Sequence, residues 1–160
     1  MTKKVIIRYI CQDQTEDVTY LHSPKDASQY VIDLMDRMPP DEKKKEMVWT
    51  IGVNSRNRVI YSILEGIGLS DSSLMSPETI FRNAFIREAR SIFVIHTHPS
   101  GILKPSDDDI RITNRLKSAG DILGIRILDH IIVADPKNPD LVRDGNSEHP
   151  YYSFAEHHLL

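Results

Sequence analysis

At 160 residues, 40% of them hydrophobic and 27% charged, the chain amounts to one domain with enough apolar side chains to bury a core. Its net charge of -3 excludes the strongly basic balance of a general nucleic-acid binder, though a local basic patch stays open. The single cysteine, Cys11, excludes an internal disulfide and a four-thiolate zinc site. No apolar run approaches membrane-spanning length, and nothing after Met1-Thr2-Lys3-Lys4 reads as a cleaved leader. A cytoplasmic protein without membrane contact is therefore expected.

In chain order, residues 1–22 read as an N-terminal extension. Val5, Ile7, Tyr9 and Cys11 alternate with Lys4, Ile6, Arg8 and Ile10 in a short strand, and Asp17 to Leu21 is expected to pair back on it. The main domain, 23–160, opens with a helix start at Ser23-Pro24-Lys25-Asp26, with Ser23 as N-cap, Pro24 at the first position and Asp26 reaching back. Tyr30, Val31, Leu34 and Met35 form its buried face, Met38-Pro39-Pro40 ends it, and Asp41 to Glu46 is expected to be a solvated connection. Met47 to Val53 and Arg58 to Gly66 are apolar strands joined by a turn at Asn54-Ser55-Arg56-Asn57, with Trp49 in the core. Ser76-Pro77-Glu78-Thr79 repeats the helix-start chemistry, and Ile80, Phe81, Ala84, Phe85 and Ala89 recur at helical spacing against the sheet. Then follow a strand over 91–98, a helix over 106–123, a strand over 125–134 and a polar loop over 135–147, with Tyr151-Tyr152-Ser153-Phe154 closing the fold. No repeat, low-complexity tract or linker interrupts this pattern. The prediction is a single α/β domain with a mixed β-sheet flanked by helices.

The chemistry concentrates at the end of the strand over 91–98. A period of two puts Val94, His96 and His98 on one face, so two imidazoles project side by side. Pro99-Ser100-Gly101 stops the strand, and Lys104-Pro105-Ser106 turns the chain into a helix whose first turn holds Asp107, Asp108 and Asp109. Asp109 can then meet the two histidines, giving two neutral nitrogens and one carboxylate. That is the ligand type of catalytic zinc, with water in the fourth position. Each residue also has a structural role available. A lone strand histidine is usually structural, but two at this spacing on an apolar strand are hard to explain without a metal. Ser106 and Asp109 form an S-x-x-D capping box, which does not exclude ligation. Asp107 and Asp108 suit the positive helix end and face solvent.

His96-Thr97-His98, seven intervening residues, Ser106, two more and Asp109 match the H-x-H-x7-S-x2-D motif of JAMM, or MPN-plus, metalloproteases. More closely, His98-Pro99-Ser100-Gly101, Pro105-Ser106, Leu128-Asp129-His130 and Tyr152-Ser153-Phe154-Ala155-Glu156 resemble the bacterial RadC family, from about Ser23 to the end of the chain. The resemblance implies a JAMM/MPN fold of cytidine-deaminase-like type and one zinc on His96, His98 and Asp109. It also implies that Ser106 stabilises a tetrahedral intermediate and that an upstream glutamate is catalytic. Glu65 is the candidate, the only acidic residue between Tyr61 and Ser70. RadC proteins commonly carry an N-terminal helix-hairpin-helix region, for which the first 22 residues have no room. Thr97 stands where RadC proteins typically have Asn, on the face away from the metal.

The implied activity is zinc-dependent hydrolysis of a peptide or isopeptide bond in a protein or peptide substrate. A metal-dependent nuclease or DNA-repair accessory is the alternative from the family's historical association. It is disfavoured because only Lys104 and Arg111 lie near the motif in sequence, so weak or no intrinsic DNA binding is expected. A non-catalytic metal-binding scaffold is the third reading; it needs no general base. Asp129 and His130 are read either as groups orienting a ligand or as polar strand ends, and His157 and His158 as a polar tail.

Overall fold

The computed structural model describes residues 18–68, 75–141 and 150–160. The strand expected over Val5 to Cys11, and residues 142–147 of the loop expected over 135–147, lie outside these residues. Thr19 to Leu21 pairs along the start of the second strand: Val59 N donates to Thr19 O, Leu21 N donates to Asn57 O, and Tyr20 bridges Arg58.

Ser23 caps α1 (Pro24–Asp36) with a complete capping box, its hydroxyl accepting from Asp26 N while the Asp26 carboxylate accepts from Ser23 N. Val31, Leu34 and Met35 are buried on one side of this helix, as their spacing predicts, whereas Tyr30 is only half-buried. The stretch after it, expected as a plain connection, contains a helical turn, α2 (Pro40–Lys43). Pro40 occupies its first turn and Asp41 and Glu42 sit at its positive end, the residue types that start a helix. Ser76 caps α3 (Pro77–Ile86). Here the expected packing face is corrected: Phe85 is 54% exposed, and Ala89 is buried but lies beyond the helix. The buried stripe is Ile80, Phe81, Asn83 and Ala84, and turning Asn83 inward rotates Phe85 out to solvent.

The sheet has five strands in the order β2-β1-β3-β4-β5, where β1 is Met47–Val53, β2 Val59–Ile67, β3 Ser91–Thr97, β4 Arg126–Val133 and β5 Tyr151–Ser153. All neighbours are antiparallel except β3 and β4, which run parallel because α4 (Asp107–Leu123) carries the chain back between them. The central strand β3 is buried on both faces, which is why it reads as a nearly continuous apolar run. On one face Trp49, Ile51, Phe93, Ile95 and Ile131 pack with Val31, Leu34 and Met35 of α1. On the other, Val48, Ile63 and Val94 pack with Ile80 and Phe81 of α3 and Leu116 of α4. The result is the single α/β domain with a mixed sheet and flanking helices that the pattern predicts. Among the described residues no helix is long and apolar enough to cross a membrane.

Candidate metal centre

His96 sits inside β3, paired with Val48 on β1 and Ile132 on β4, on the face that α4 covers. His98 lies just past the strand but keeps its direction, because its backbone N–H still donates to Val133 O at 2.9 Å. The chain then turns sharply, Gly101 N donating to His98 O. Gly101 has φ +79, and a Cβ there would lie 2.8 Å from the carbonyl oxygen of Asp140, so only glycine makes this turn without strain. Ser106 caps α4, and its third residue, Asp109, swings back over the end of β3.

Three donors converge as a result. Nε2 of His96 is 2.9 Å from Nε2 of His98 and 3.2 Å from Oδ1 of Asp109, and the donor atoms all lie within 4.8 Å of one another. His96 and Asp109 are buried and His98 half-buried, so the cluster opens toward solvent on the His98 side. The two oxygens of Asp109 divide the work. Oδ2 closes the capping box, accepting from the Ser106 hydroxyl and backbone N–H at 2.7 Å each, while Oδ1 faces His96. Capping and convergence on the histidines thus coexist in one side chain.

The protonation states fit a cation. Nδ1 of His98 is 2.6 Å from the carbonyl oxygen of Ile102, which can only accept, so Nδ1 carries the hydrogen and Nε2 points its lone pair into the cluster. Burial, reinforced by neighbouring His96, holds His98 below its ordinary pKa and keeps it neutral near pH 7. Burial opposes ionisation of Asp109, but the adjacent His96 and the hydrogen bonds from the Ser106 hydroxyl and N–H outweigh it and hold the carboxyl below the usual carboxylate range. Two imidazoles and one carboxylate, each braced from behind, form a group able to hold a metal ion.

The RadC-like JAB domain family matches residues 21–159 of this chain. The chain belongs to that family. A UPF0758 protein of Desulforudis audaxviator (strain MP104C) is 41% identical over 101 residues, which cover 63% of this chain and 44% of the relative. UPF0758 proteins of Bacillus cereus (strain AH187) and Bacillus anthracis (strain A0248) are each 37% identical over 126 residues, covering 79% of this chain and 54% of the relative. The RadC-like chain spans about half the length of the curated relatives it matches, and its sheet and helices agree with a JAB/MPN fold.

The other predicted residues divide by face of the sheet. Glu65 is on the His96 face of β2, separated from β3 by β1, roughly 10 Å away by strand spacing. Its Oε1 accepts from the Thr50 hydroxyl at 2.6 Å and from the Asn83 amide at 3.3 Å, while Oε2 makes no hydrogen bond among the described residues. Burial raises its pKa above the ordinary carboxylate value. No hydrogen bond or ion pair among the described residues joins Glu65 to His96, His98 or Asp109. Thr97 points to the opposite face, where its hydroxyl accepts from Met47 N and anchors the start of β1. His130 touches the cluster directly, its Nε2 2.8 Å from Nδ1 of His96.

Asp129, next in sequence, faces the other way. It accepts from the Ser153 hydroxyl and from Ala155 N, tying β4 to the C-terminal segment. Burial pushes its carboxyl up to about 6, against about 3.9 in an unfolded chain. Because the folded value is the higher one, its contribution to stability is present below pH 4 and is lost as pH rises through 6. Asp129→Asn removes that titration. Its stability relative to the unaltered protein should therefore rise by about 2–3 kcal/mol between pH 4 and pH 7. Urea unfolding at both pH values measures the difference, and a pH-independent difference would contradict the assignment.

Several participants carry no sequence signal. Thr113 lies mid-helix in α4, the Ile102 carbonyl is backbone, and Asn83 reads as an ordinary helix residue. Nearby cations also differ from those picked out in sequence. Arg111 pairs with Asp108, whereas Lys43, Lys44 and Lys137 line a cleft of about 420 Å³ bounded by His98, Pro99 and Met35.

Proposed function

We propose that this RadC-like domain is a zinc-dependent hydrolase of peptide or isopeptide bonds, acting in the cytoplasm on a protein or peptide substrate. The observation that carries the reading is the convergence of His96, His98 and Asp109 at the solvent-facing end of β3. When bound there, zinc supplies Lewis acidity for a scissile carbonyl and acidifies a coordinated water. The two histidines contribute neutral nitrogens and Asp109 the only charge of the set. Glu65 takes a proton and returns it to the leaving amine. Oε1 is anchored by Thr50 and Asn83, Oε2 has no hydrogen bond among the described residues, and a pKa raised by burial suits a group that must first accept and then donate. Ser106 hydrogen-bonds the developing oxyanion by turning its hydroxyl proton away from Asp109 Oδ2.

Zinc-dependent turnover of peptide and isopeptide libraries by the purified chain tests this reading. The hold of Thr50 and Asn83 on Glu65 favours a second one, a metal-binding scaffold without a base. Zinc retained with no turnover of any peptide, isopeptide or nucleic-acid substrate would put the scaffold in place of the hydrolase.

A nuclease or DNA-repair role predicts a different result. The lysines of the cleft are offset by carboxylates, since Lys43 and Lys137 both pair with Asp36 and Lys44 pairs with Asp41. With a net charge of -3, duplex DNA should bind weakly and release readily as salt rises. Titration against labelled duplex and single strands at two salt concentrations checks this. Tight, salt-resistant, sequence-selective binding would make the nuclease reading the leading one.

A further inference from the structure

We infer that Thr113 and His130 are positioning residues that determine which nitrogen of His96 faces the metal, an inference that rests on the metal-centre reading above. The determining atom is the backbone carbonyl oxygen of Asp109. That oxygen can only accept, so the Thr113 hydroxyl, 2.6 Å away, gives it its proton. The hydroxyl oxygen is then left to accept. It lies 2.6 Å from Nδ1 of His130, which must therefore carry hydrogen. His130 is 1% exposed and stacked on Phe154 at 4.6 Å, with no carboxylate in hydrogen-bond contact among the described residues. An apolar pocket of this kind holds the neutral ring, so Nε2 of His130 keeps its lone pair. That lone pair is 2.8 Å from Nδ1 of His96 and requires a donor. His96 then carries its hydrogen on Nδ1 and turns an unprotonated Nε2 toward His98 Nε2, 2.9 Å away, and Asp109 Oδ1, 3.2 Å away, three donor atoms that a cation bound between them would hold together in place of a proton.

His98 reaches the same state with one bond to the Ile102 carbonyl, because it stands in a turn where a backbone oxygen is free. His96 has no such recourse. It lies within β3, between two paired neighbours whose carbonyls belong to the ladder, so its orientation must come from side chains. The path through Thr113 begins at the residue that supplies the carboxylate. The first turns of α4 thus place one ligand and set the tautomer of another.

The discriminating pair is Thr113→Val and Thr113→Ser, each made in the full chain. Valine preserves shape and loses the hydroxyl; serine keeps the hydroxyl and loses a methyl. Zinc affinity, measured by competition with a chromogenic chelator, should fall roughly 10- to 100-fold in Thr113→Val and stay near the unaltered value in Thr113→Ser. Equal affinity in Thr113→Val, or equal losses in both variants, would overturn the inference, the second outcome indicating packing alone. Long-range proton–nitrogen NMR of histidine-labelled, metal-free unaltered protein provides a readout that needs neither variant nor zinc. His130 should be protonated at Nδ1, and a proton on Nε2 would also overturn the inference. Absence of zinc binding by the unaltered protein would remove the metal-centre reading, and the NMR result would still decide whether the hydrogen-bond chain runs as inferred.

Discussion

Elemental analysis of His96→Ala and Asp109→Ala should find most of the metal gone, against about one zinc per chain in the unaltered protein. The expected loss is large because the site has only three protein donors among the described residues, and removing one leaves two, too few to fill the three protein positions of a catalytic zinc. Asp109→Ala also loses the capping box of α4, which costs about 0.5–2 kcal/mol, so its thermal midpoint should drop independently of metal. Asp109→Asn separates the two effects, since an amide oxygen can still accept from Ser106 N–H while the charge is gone. Stripping zinc with a chelator should leave the fold standing. The sheet is packed on both faces by clusters that do not include the three donors, so the core does not depend on the ion. A chain that takes up no zinc after it is added back would remove the metal centre, and unfolding on chelation would make the site structural instead of catalytic.

Glu65→Gln is expected to retain zinc and fold and to lose about two to four orders of magnitude in hydrolysis, the usual contribution of a positioned general base. The substitution is nearly isosteric, and the amide oxygen can still accept from Thr50 and Asn83, so the local packing survives. What disappears is the ability to take up a proton. Asp109 is a poor substitute, because one of its oxygens is engaged by Ser106 and the other faces His96. Ser106 is a neutral hydroxyl already donating to Asp109. Full activity in Glu65→Gln, assayed on whatever substrate first shows zinc-dependent turnover, would refute the assignment of the base. The acidic residues Asp107 and Asp108 would then be tested next.

The sequence by itself determined the order of the five strands and the three longer helices, and the three converging donors, because both rest on local periodicity. Alternation along 91–98 puts the two imidazoles on one side of a strand, and S-x-x-D at 106–109 specifies a helix start, so Asp109 returns over the strand end. Local reasoning failed where a side chain's direction depends on a distant partner. Phe85 has the spacing of a buried residue and is turned out because Asn83 is drawn in toward Glu65, 18 positions away. The neighbours Asp129 and His130 looked equivalent in sequence, yet the pleat sends one to the C-terminal segment and the other to His96. Tertiary structure alone decided what stands behind the donors. Thr113 meets His130 only because α4 crosses back over β4, and Lys137 shares a cleft with Lys43 and Lys44 from more than ninety positions away. A hydrogen bond between distant residues leaves no periodic trace in the chain, since it needs one atom in the right place and not a repeated residue type. The three converging donors were therefore visible from the sequence, and the bonds that orient them were not.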